Sequence, residues 1–241
     1  FNTLQHDLLL RTSSFLNCLL YYHKSFIQVL IRLQAIPFSV EVLKQAAANG
    51  SEDVAAEALC VVQALVSEEE GVKGFVESPD SGTMLLRLIT VSHDDSIALD
   101  ACDLIEAGWL DRNQSPTLEV TGESDLMQRL LLLLFSKDSY QSTSIWRTLK
   151  AVVKALQSEI GQKEEAAGRA VEVLCLSCAE IKEMLDGVVD DKGDKDSKEA
   201  WEAYSEDCVR AIGDCLLTAE SSQLPGVEIE SIKAARNRLC Q

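Results

Sequence analysis

SVEVLKQAAANGSEDVAAEALCVVQA (residues 39–64) aligns without a gap on GTMLLRLITVSHDDSIALDACDLIEA (residues 82–107) when the chain is shifted along itself by 43 positions. Few residues are identical, but small and apolar residues coincide. The coinciding pairs are Val42/Leu85, Leu43/Leu86, Val54/Ile97, Ala55/Ala98, Ala58/Ala101, Val61/Leu104 and Val62/Ile105. Apolar residues at three- and four-residue spacing predict helices. Two helices that recur about every 40 residues are typical of an α-solenoid.

A polar break separates the two predicted helices in both copies. It reads NGSED at residues 49–53 and SHDDS at residues 92–96. Side-chain oxygens at a helix N-terminus accept backbone N–H groups. We therefore predict that Asp53 and Ser96 are matched N-caps of the second helix in each copy.

The pattern continues toward the C-terminus with altered spacing. LMQRLLLLLFSKDSYQSTSIWRTLKAVVKALQ (residues 126–157) predicts another helix, polar break and helix. EAAGRAVEVLCLS (165–177) aligns on EDCVRAIGDCLLT (206–218) at a shift of 41. We predict an all-α chain with about four to five repeats, forming a single solenoid domain over residues 1–241.

The stretch over residues 39–110 resembles an armadillo repeat. Its parts are an Ala-rich helix (VAAEALCVVQALVS), an acidic turn and short segment (EEEGVKGFVESPDSG), a Leu-Leu helix (TMLLRLITVS) and a polar break (HDDS). HEAT repeats share this layout. The resemblance implies a right-handed superhelix that binds other proteins. VEVLKQAAANG and TMLLRLITVS offer no clear counterpart of the Asn of peptide-binding armadillo proteins, so binding of extended peptides is not implied.

Two stretches are predicted to be exposed loops. Residues 111–125 contain Pro116 and Gly122, and residues 186–199 are charged and nearly free of apolar side chains. Insertions in solenoids fall on loops and often carry binding. The candidate partner contacts in and beside the second loop are Trp201, Tyr204, Asp190, Asp191, Asp194 and Asp196. A solvated linker without a role is the alternative interpretation. Trp109 and Trp146 follow the apolar spacing and are expected in the core.

Charge narrows the class of partner. The chain has 22 Lys and Arg against 39 Asp and Glu, a net charge of −17. Nucleic acid and anionic membrane surfaces repel such a chain, and no apolar run approaches the ~20 residues of a membrane span. We therefore expect other proteins with basic or mixed-charge surfaces as partners, and neither nucleic-acid binding nor membrane insertion.

Eight cysteines lie mostly within apolar helical text. Those within apolar helical text are expected to be small buried hydrophobes, which indicates an intracellular, reducing compartment, with the cytoplasm favoured. Because the sequence begins with Phe1 rather than Met, we expect it to be part of a longer or processed chain, so import into an organelle stays open.

No catalytic motif is recognisable. Cys175 and Cys178 form a CxxC, but a zinc site needs four ligands, and a redox CxxC belongs at the start of a helix. The aspartates of DDKGDKDSKE are out of register for a calcium loop. We therefore expect no enzyme, metal or cofactor. The predicted function is a protein–protein interaction scaffold or a structural subunit of an assembly. The alternative is a regulator of one enzyme partner, such as a chaperone co-factor or exchange factor.

Overall fold

A computed structural model describes residues 3–112, 125–136, 143–160, 162–187 and 195–240. Within these ranges every regular element is a helix, which confirms the all-α prediction. Leu, Ala, Glu, Lys and Gln dominate the sequence, and all five are good helix formers.

The chain divides into two compact units, Phe1–Pro116 and Thr117–Gln241. The sequence predicts one continuous solenoid instead. In a repeat array each unit contacts only its neighbours, so a solenoid and a pair of domains both divide in this way. The two units are therefore described separately.

Within residues 3–112 the first unit holds seven α-helices. They are α1 Thr3–Tyr22, α2 Ile27–Arg32, α3 Ala35–Asn49, α4 Glu52–Leu65, α5 Glu69–Val76, α6 Ser81–Val91 and α7 Asp95–Gly108. Helix α1 packs on α4 and α4 on α7, while α3 packs on α4 and on α6, and α6 on α7. The short helices α2 and α5 each precede one of the paired long helices. The order short–long–long thus occurs twice, as α2–α3–α4 and α5–α6–α7.

The internal alignment has a structural counterpart. A shift of 43 carries Glu52–Leu65 onto Asp95–Gly108, so α4 and α7 coincide from end to end. All seven aligned pairs quoted above are buried in both copies. The aligned alanines of both helices, Ala55, Ala58, Ala98 and Ala101, are buried, which allows the helices to approach closely.

The predicted N-caps are wrong by two residues. The N-caps are Ser51 and Asp94, again a matched pair, and the Asp94 carboxylate accepts the backbone N–H of Ser96 at 2.8 Å. Gly50, with a φ of 65°, ends α3 directly before the first of these caps, whereas Ser92 in an extended conformation ends α6 two residues before the second. Asp53 and Ser96 lie inside the first turns of their helices.

Close backbone packing fixes the entry into α5. A Cβ added to Gly71 would lie 1.9 Å from the carbonyl oxygen of Leu65, a distance that no side chain can occupy. The turns into α3 and α6 each contain a left-handed residue, Gln34 (φ 58°) and Asp80 (φ 61°). The same turn geometry therefore recurs in both triplets without glycine to signal it.

Hydrogen bonds join the first helix triplet of this unit, α2–α3–α4, to the turn before α7 in the second triplet. The Glu52 carboxylate, at the start of α4, accepts the backbone N–H groups of His93 (2.5 Å) and Asp94 (3.3 Å) and the Ser92 hydroxyl (3.1 Å). These bonds, above all the one from the His93 backbone, lower the pKa of Glu52. The carboxylate thus caps the turn before α7 from the preceding triplet.

A second kind of contact repeats with the helices. Asn17 of α1 donates to Glu57 of α4 at 2.9 Å, and Gln63 of α4 donates to Asp100 of α7 at 2.9 Å. Glu57 and Asp100 are equivalent at the shift of 43, so α1 contacts α4 at the position where α4 contacts α7. Burial raises the pKa of Asp100, and the charges of Asp103 and Asp94 add to the effect.

The second unit contains longer helices. They are α8 Leu126–Phe135, α9 Thr143–Glu159, α10 Glu164–Gly187, α11 Lys195–Ser222 and α12 Ile229–Cys240. Alternate helices pack together: α10 lies between α8 and α12, and α9 packs on α11. The alignment of 165–177 with 206–218 therefore relates two consecutive helices, α10 and α11, that have different main neighbours. Their shared pattern reflects similar buried stripes, for example Ala170 and Ala211.

Polar contacts in this unit span larger sequence separations. Lys150 of α9 pairs with Asp207 of α11 at 2.5 Å, and Gln157 donates to the Thr218 hydroxyl at 2.9 Å. Arg236 of α12 pairs with Glu220 of α11. This ion pair thus links the basic helix α12 to α11 through Arg236.

The predicted loop at 186–199 is shorter than expected. Helix α10 continues to Gly187, and α11 begins at Lys195, while residues 188–194 lie outside the described residues. Lys, Glu and Ala in KDSKEAWEA favour helix despite their polarity. Of the other predicted loop, 111–125, residues 113–124 also lie outside the description.

The large aromatic residues of the core lie where the sequence predicts. Trp146 is fully buried, and Trp109 is buried against Phe75 with ring centroids 5.7 Å apart. Among the described helices, none is by itself both long and apolar enough to cross a membrane. Lys24–Arg32 and Ala35–Asn49 meet that criterion together but are bent by 87°.

Candidate functional site

The predicted partner contacts fall where side chains are not described. Helix α11 includes Asp196, Trp201 and Tyr204, but their side chains lie outside the part of the chain that the structure describes. Asp190, Asp191 and Asp194 lie outside the described residues altogether. Their role in partner binding stays a prediction.

The CxxC pair is in the middle of α10, as expected, and is buried. The Cys178 thiol donates to the Leu174 carbonyl at 3.1 Å. Burial raises the pKa of Cys175 to about 11 and that of Cys178 to about 12. Both remain protonated near neutral pH, and a protonated thiol is a poor nucleophile and metal ligand.

The other buried cysteines of the second unit behave alike. Burial raises the pKa of Cys215 to about 12, and it raises the pKa of Cys208 as well. Within the described ranges, no three His, Cys, Asp or Glu side chains cluster in a way that could hold a metal ion. The geometry thus gives these thiols a packing role.

Helix α1 exposes an apolar stripe on the side opposite its buried residues Ser13 and Leu20. The stripe, called here the outward stripe of α1, consists of Leu4, Leu8, Arg11, Phe15, Cys18 and Tyr22. Leu4 is 78% exposed, Phe15 66% and Tyr22 74%. Spacings of three and four residues place all six on one face. Exposed apolar side chains in such continuity mark an interaction surface.

A second exposed apolar surface follows directly in sequence. It consists of Phe26, Val29, Leu33 and Phe38, and is called here the α2–α3 surface. Leu33 is the most exposed of the four, at 71%. It precedes Gln34, whose left-handed backbone forms the turn between α2 and α3.

The charge around these surfaces differs from that of the whole chain. Residues 3–34 contain three basic residues, Arg11, Lys24 and Arg32, and one acidic residue, Asp7. The complete chain carries −17. The exposed apolar segment therefore carries a small positive net charge in an acidic protein.

Sequence reasoning missed both surfaces, although a signal was present. The outward stripe of α1 has regular three- and four-residue spacing, but the inner side also carries apolar residues seven and four positions apart, namely Leu9, Leu16 and Leu20. With apolar residues on both sides, the pattern predicts a helix without showing which side is covered.

Comparisons with known proteins find no matching family model, no matching curated protein and no matching solved structure. The function is therefore argued from the geometry alone.

Proposed function

We propose that this protein is a non-catalytic protein–protein interaction scaffold, a structural subunit of a larger assembly. Two exposed apolar surfaces carry the proposal, the outward stripe of α1 and the α2–α3 surface. Leu4 and Tyr22 of the first and Leu33 of the second are each more than two-thirds exposed. Monomeric proteins seldom leave large contiguous apolar patches in water. Aromatic residues, which this surface contains, are enriched at protein interfaces.

An armadillo- or HEAT-type solenoid is the architecture that we propose for the scaffold. The supporting observations are the end-to-end correspondence of α4 with α7 and the equivalent hydrogen bonds at Glu57 and Asp100. Stacked repeats offer an extended surface to which each repeat contributes a few contacts.

The proposed partner is a protein segment with an apolar centre and mixed charge around it. Lys24 and Arg32 flank the apolar residues of the α2–α3 surface, and Glu41 is exposed on α3. Apolar burial would supply most of the binding free energy, while the charges would set orientation and association rate.

Affinity isolation of the native protein, followed by identification of its partners, tests the proposal. We expect wild-type protein to retain a multiprotein complex through moderate salt and Val29→Asp/Leu33→Asp to lose it. Leu176→Asp, at a position 71% exposed on α10, is the matched control and should retain the complex. Isolation without any other protein at physiological salt would show that the scaffold proposal is wrong.

The same material distinguishes a scaffold from a regulator. A regulator should bind one enzyme and change its turnover when added to the purified enzyme. A scaffold should leave the turnover of each isolated partner unchanged and be required for their co-purification.

A further inference from the structure

We propose that the outward stripe of α1 pairs with the same stripe of a second copy in an antiparallel, two-fold symmetric helix pair. The stripe is 19 residues long, from Leu4 to Tyr22, and lies on the side of α1 that faces away from α4. This inference goes beyond the scaffold proposal, because it names a partner surface and a register.

The spacing of the stripe is self-complementary. Successive stripe residues are separated by four, three, four, three and four positions, a series that reads the same in both directions. An antiparallel copy centred on position 13 therefore places every stripe residue opposite another. The opposed pairs are Leu4 with Tyr22, Leu8 with Cys18, and Arg11 with Phe15, each occurring twice. Such isologous contacts are the commonest way in which soluble proteins form closed dimers.

The position of Arg11 favours a second copy over an unrelated apolar helix. Arg11 is exposed in the middle of the stripe, where an apolar partner would leave its charge buried without compensation. In the antiparallel pair it faces the ring of Phe15 of the second copy, and a guanidinium over an aromatic face is attracted by the ring quadrupole. The symmetry supplies this contact twice.

The exposed area corresponds to a small interface. Within the stripe, Phe15 and Tyr22 are each about two-thirds to three-quarters exposed. At about 150–250 Å² for each side chain they expose roughly 200–350 Å² together. Leu4 and Leu8, 78% and 64% exposed, add to this, so the pair lies below the ~800 Å² per partner of a standard interface, in the range of weak association.

The local charge permits the approach of two copies. Although each chain carries −17, residues 3–34 have an excess of two positive charges. Added salt screens the repulsion between the remaining acidic surfaces but not the apolar contact. Dimerisation should therefore persist or strengthen as the salt concentration rises.

Analytical ultracentrifugation of the full chain is the first test. We expect a dimer to be populated at about 100 μM, because interfaces below the standard size give weak association. Leu8→Glu and Phe15→Glu should each weaken dimerisation at least about tenfold, because they bury a charge in the centre of the pair. Leu176→Glu, equally exposed on α10, should leave it unchanged. Circular dichroism checks that each variant stays helical. A monomeric wild type, or a dimer unaffected by both stripe variants, would overturn the proposal.

Thiol cross-linking tests the register. In the antiparallel pair Cys18 faces Leu8, whereas the two native Cys18 residues are about 15 Å apart along the helix axis. A short bismaleimide cross-linker should therefore couple two chains of Leu8→Cys, which retains Cys18, but neither wild-type chains nor Leu8→Cys/Cys18→Ser chains. Efficient coupling of wild-type chains and of Leu8→Cys/Cys18→Ser chains would indicate a parallel pair and contradict the proposal.

Discussion

The two units connect their helices differently. In the first unit, Asn17 bonds to Glu57 and Lys44 to Asp80, pairs that are 40 and 36 residues apart. In the second unit, Lys150 pairs with Asp207 at a separation of 57 residues. The internal alignment relates α4 and α7 from end to end because they have equal lengths, whereas α10 and α11 are longer and differ in length.

The largest expected effect tests the close backbone packing of the first unit. Gly71→Ala should lower the free energy of unfolding by about 3 kcal/mol or more, because its Cβ would collide with the backbone of Leu65. Urea titration followed by circular dichroism measures the change.

Gly213→Ala in α11 is the matched control from the second unit. No atom lies within 4 Å of the added Cβ, so the better helix propensity of Ala should stabilise the protein by roughly 0.5–1 kcal/mol. If the two variants behave alike, the close approach of Gly71 to the Leu65 backbone does not hold.

The next effect concerns the carboxylate that joins successive triplets. Glu52→Ala should cost about 1–2 kcal/mol, because the backbone N–H groups of His93 and Asp94 lose their acceptor. Glu172→Ala, at an exposed position of α10, should cost far less.

The pH dependence of this contact has a defined sign. Because the folded protein lowers the pKa of Glu52, its ionised form favours folding above the ordinary value of 4.5. That contribution is lost as the pH falls through the folded-state pKa. Glu52→Gln removes this titration, so the stability difference between wild type and this variant should shrink on acidification. A pH-independent difference would contradict this assignment.

The ion pair between Lys150 and Asp207 in the second unit should contribute less to the free energy of unfolding than Glu52 does. Lys150 and Asp207 are both partly exposed, so Lys150→Met should cost at most about 1 kcal/mol. The hydrogen bond from Lys150 lowers the pKa of Asp207. Unfolding at low and high salt should show that the effect of Lys150→Met disappears on screening, whereas that of Glu52→Ala remains.

The smallest expected effect is a stabilisation. Asp100→Asn should raise the stability near neutral pH by about 0.5 kcal/mol, since it removes a half-buried charge and keeps the acceptor for Gln63. Burial raises the folded-state pKa of Asp100, so ionisation disfavours folding. The cost is complete above that folded-state pKa and absent below the ordinary value of 3.8. The gain should therefore vanish in acid, opposite in sign to the behaviour of Glu52.

Particular elements show how far sequence reasoning reached. The helices α4 and α7 and the buried positions that they share follow from the apolar periodicity that the two aligned copies have in common. The N-caps were misplaced by two residues, because polar residues at 51–53 and 94–96 offer several chemically equivalent starts. The charged stretch at 195–199 was assigned to a loop, but helix propensity and the attached buried helix outweighed its polarity.

The candidate surfaces were not predicted, and the reason is physical. Leu8 and Leu9 are adjacent and equally apolar, yet Leu8 is exposed and Leu9 half-buried. Which of them contacts α4 depends on the rotation of α1 about its axis, and distant residues such as Glu57 help to fix it through Asn17.

The sequence by itself determined that this protein is helical, that α4 and α7 are equivalent and that its tryptophans at 109 and 146 are buried. These properties follow from local propensity and periodicity, which act within one or two turns of chain. The tertiary structure decided that Glu52 caps the next triplet, that burial raises the pKa of the CxxC thiols, and that one apolar face of α1 is exposed among the described residues. Each depends on contacts between residues about 40 or more positions apart, and local propensity and periodicity do not report which of these residues meet.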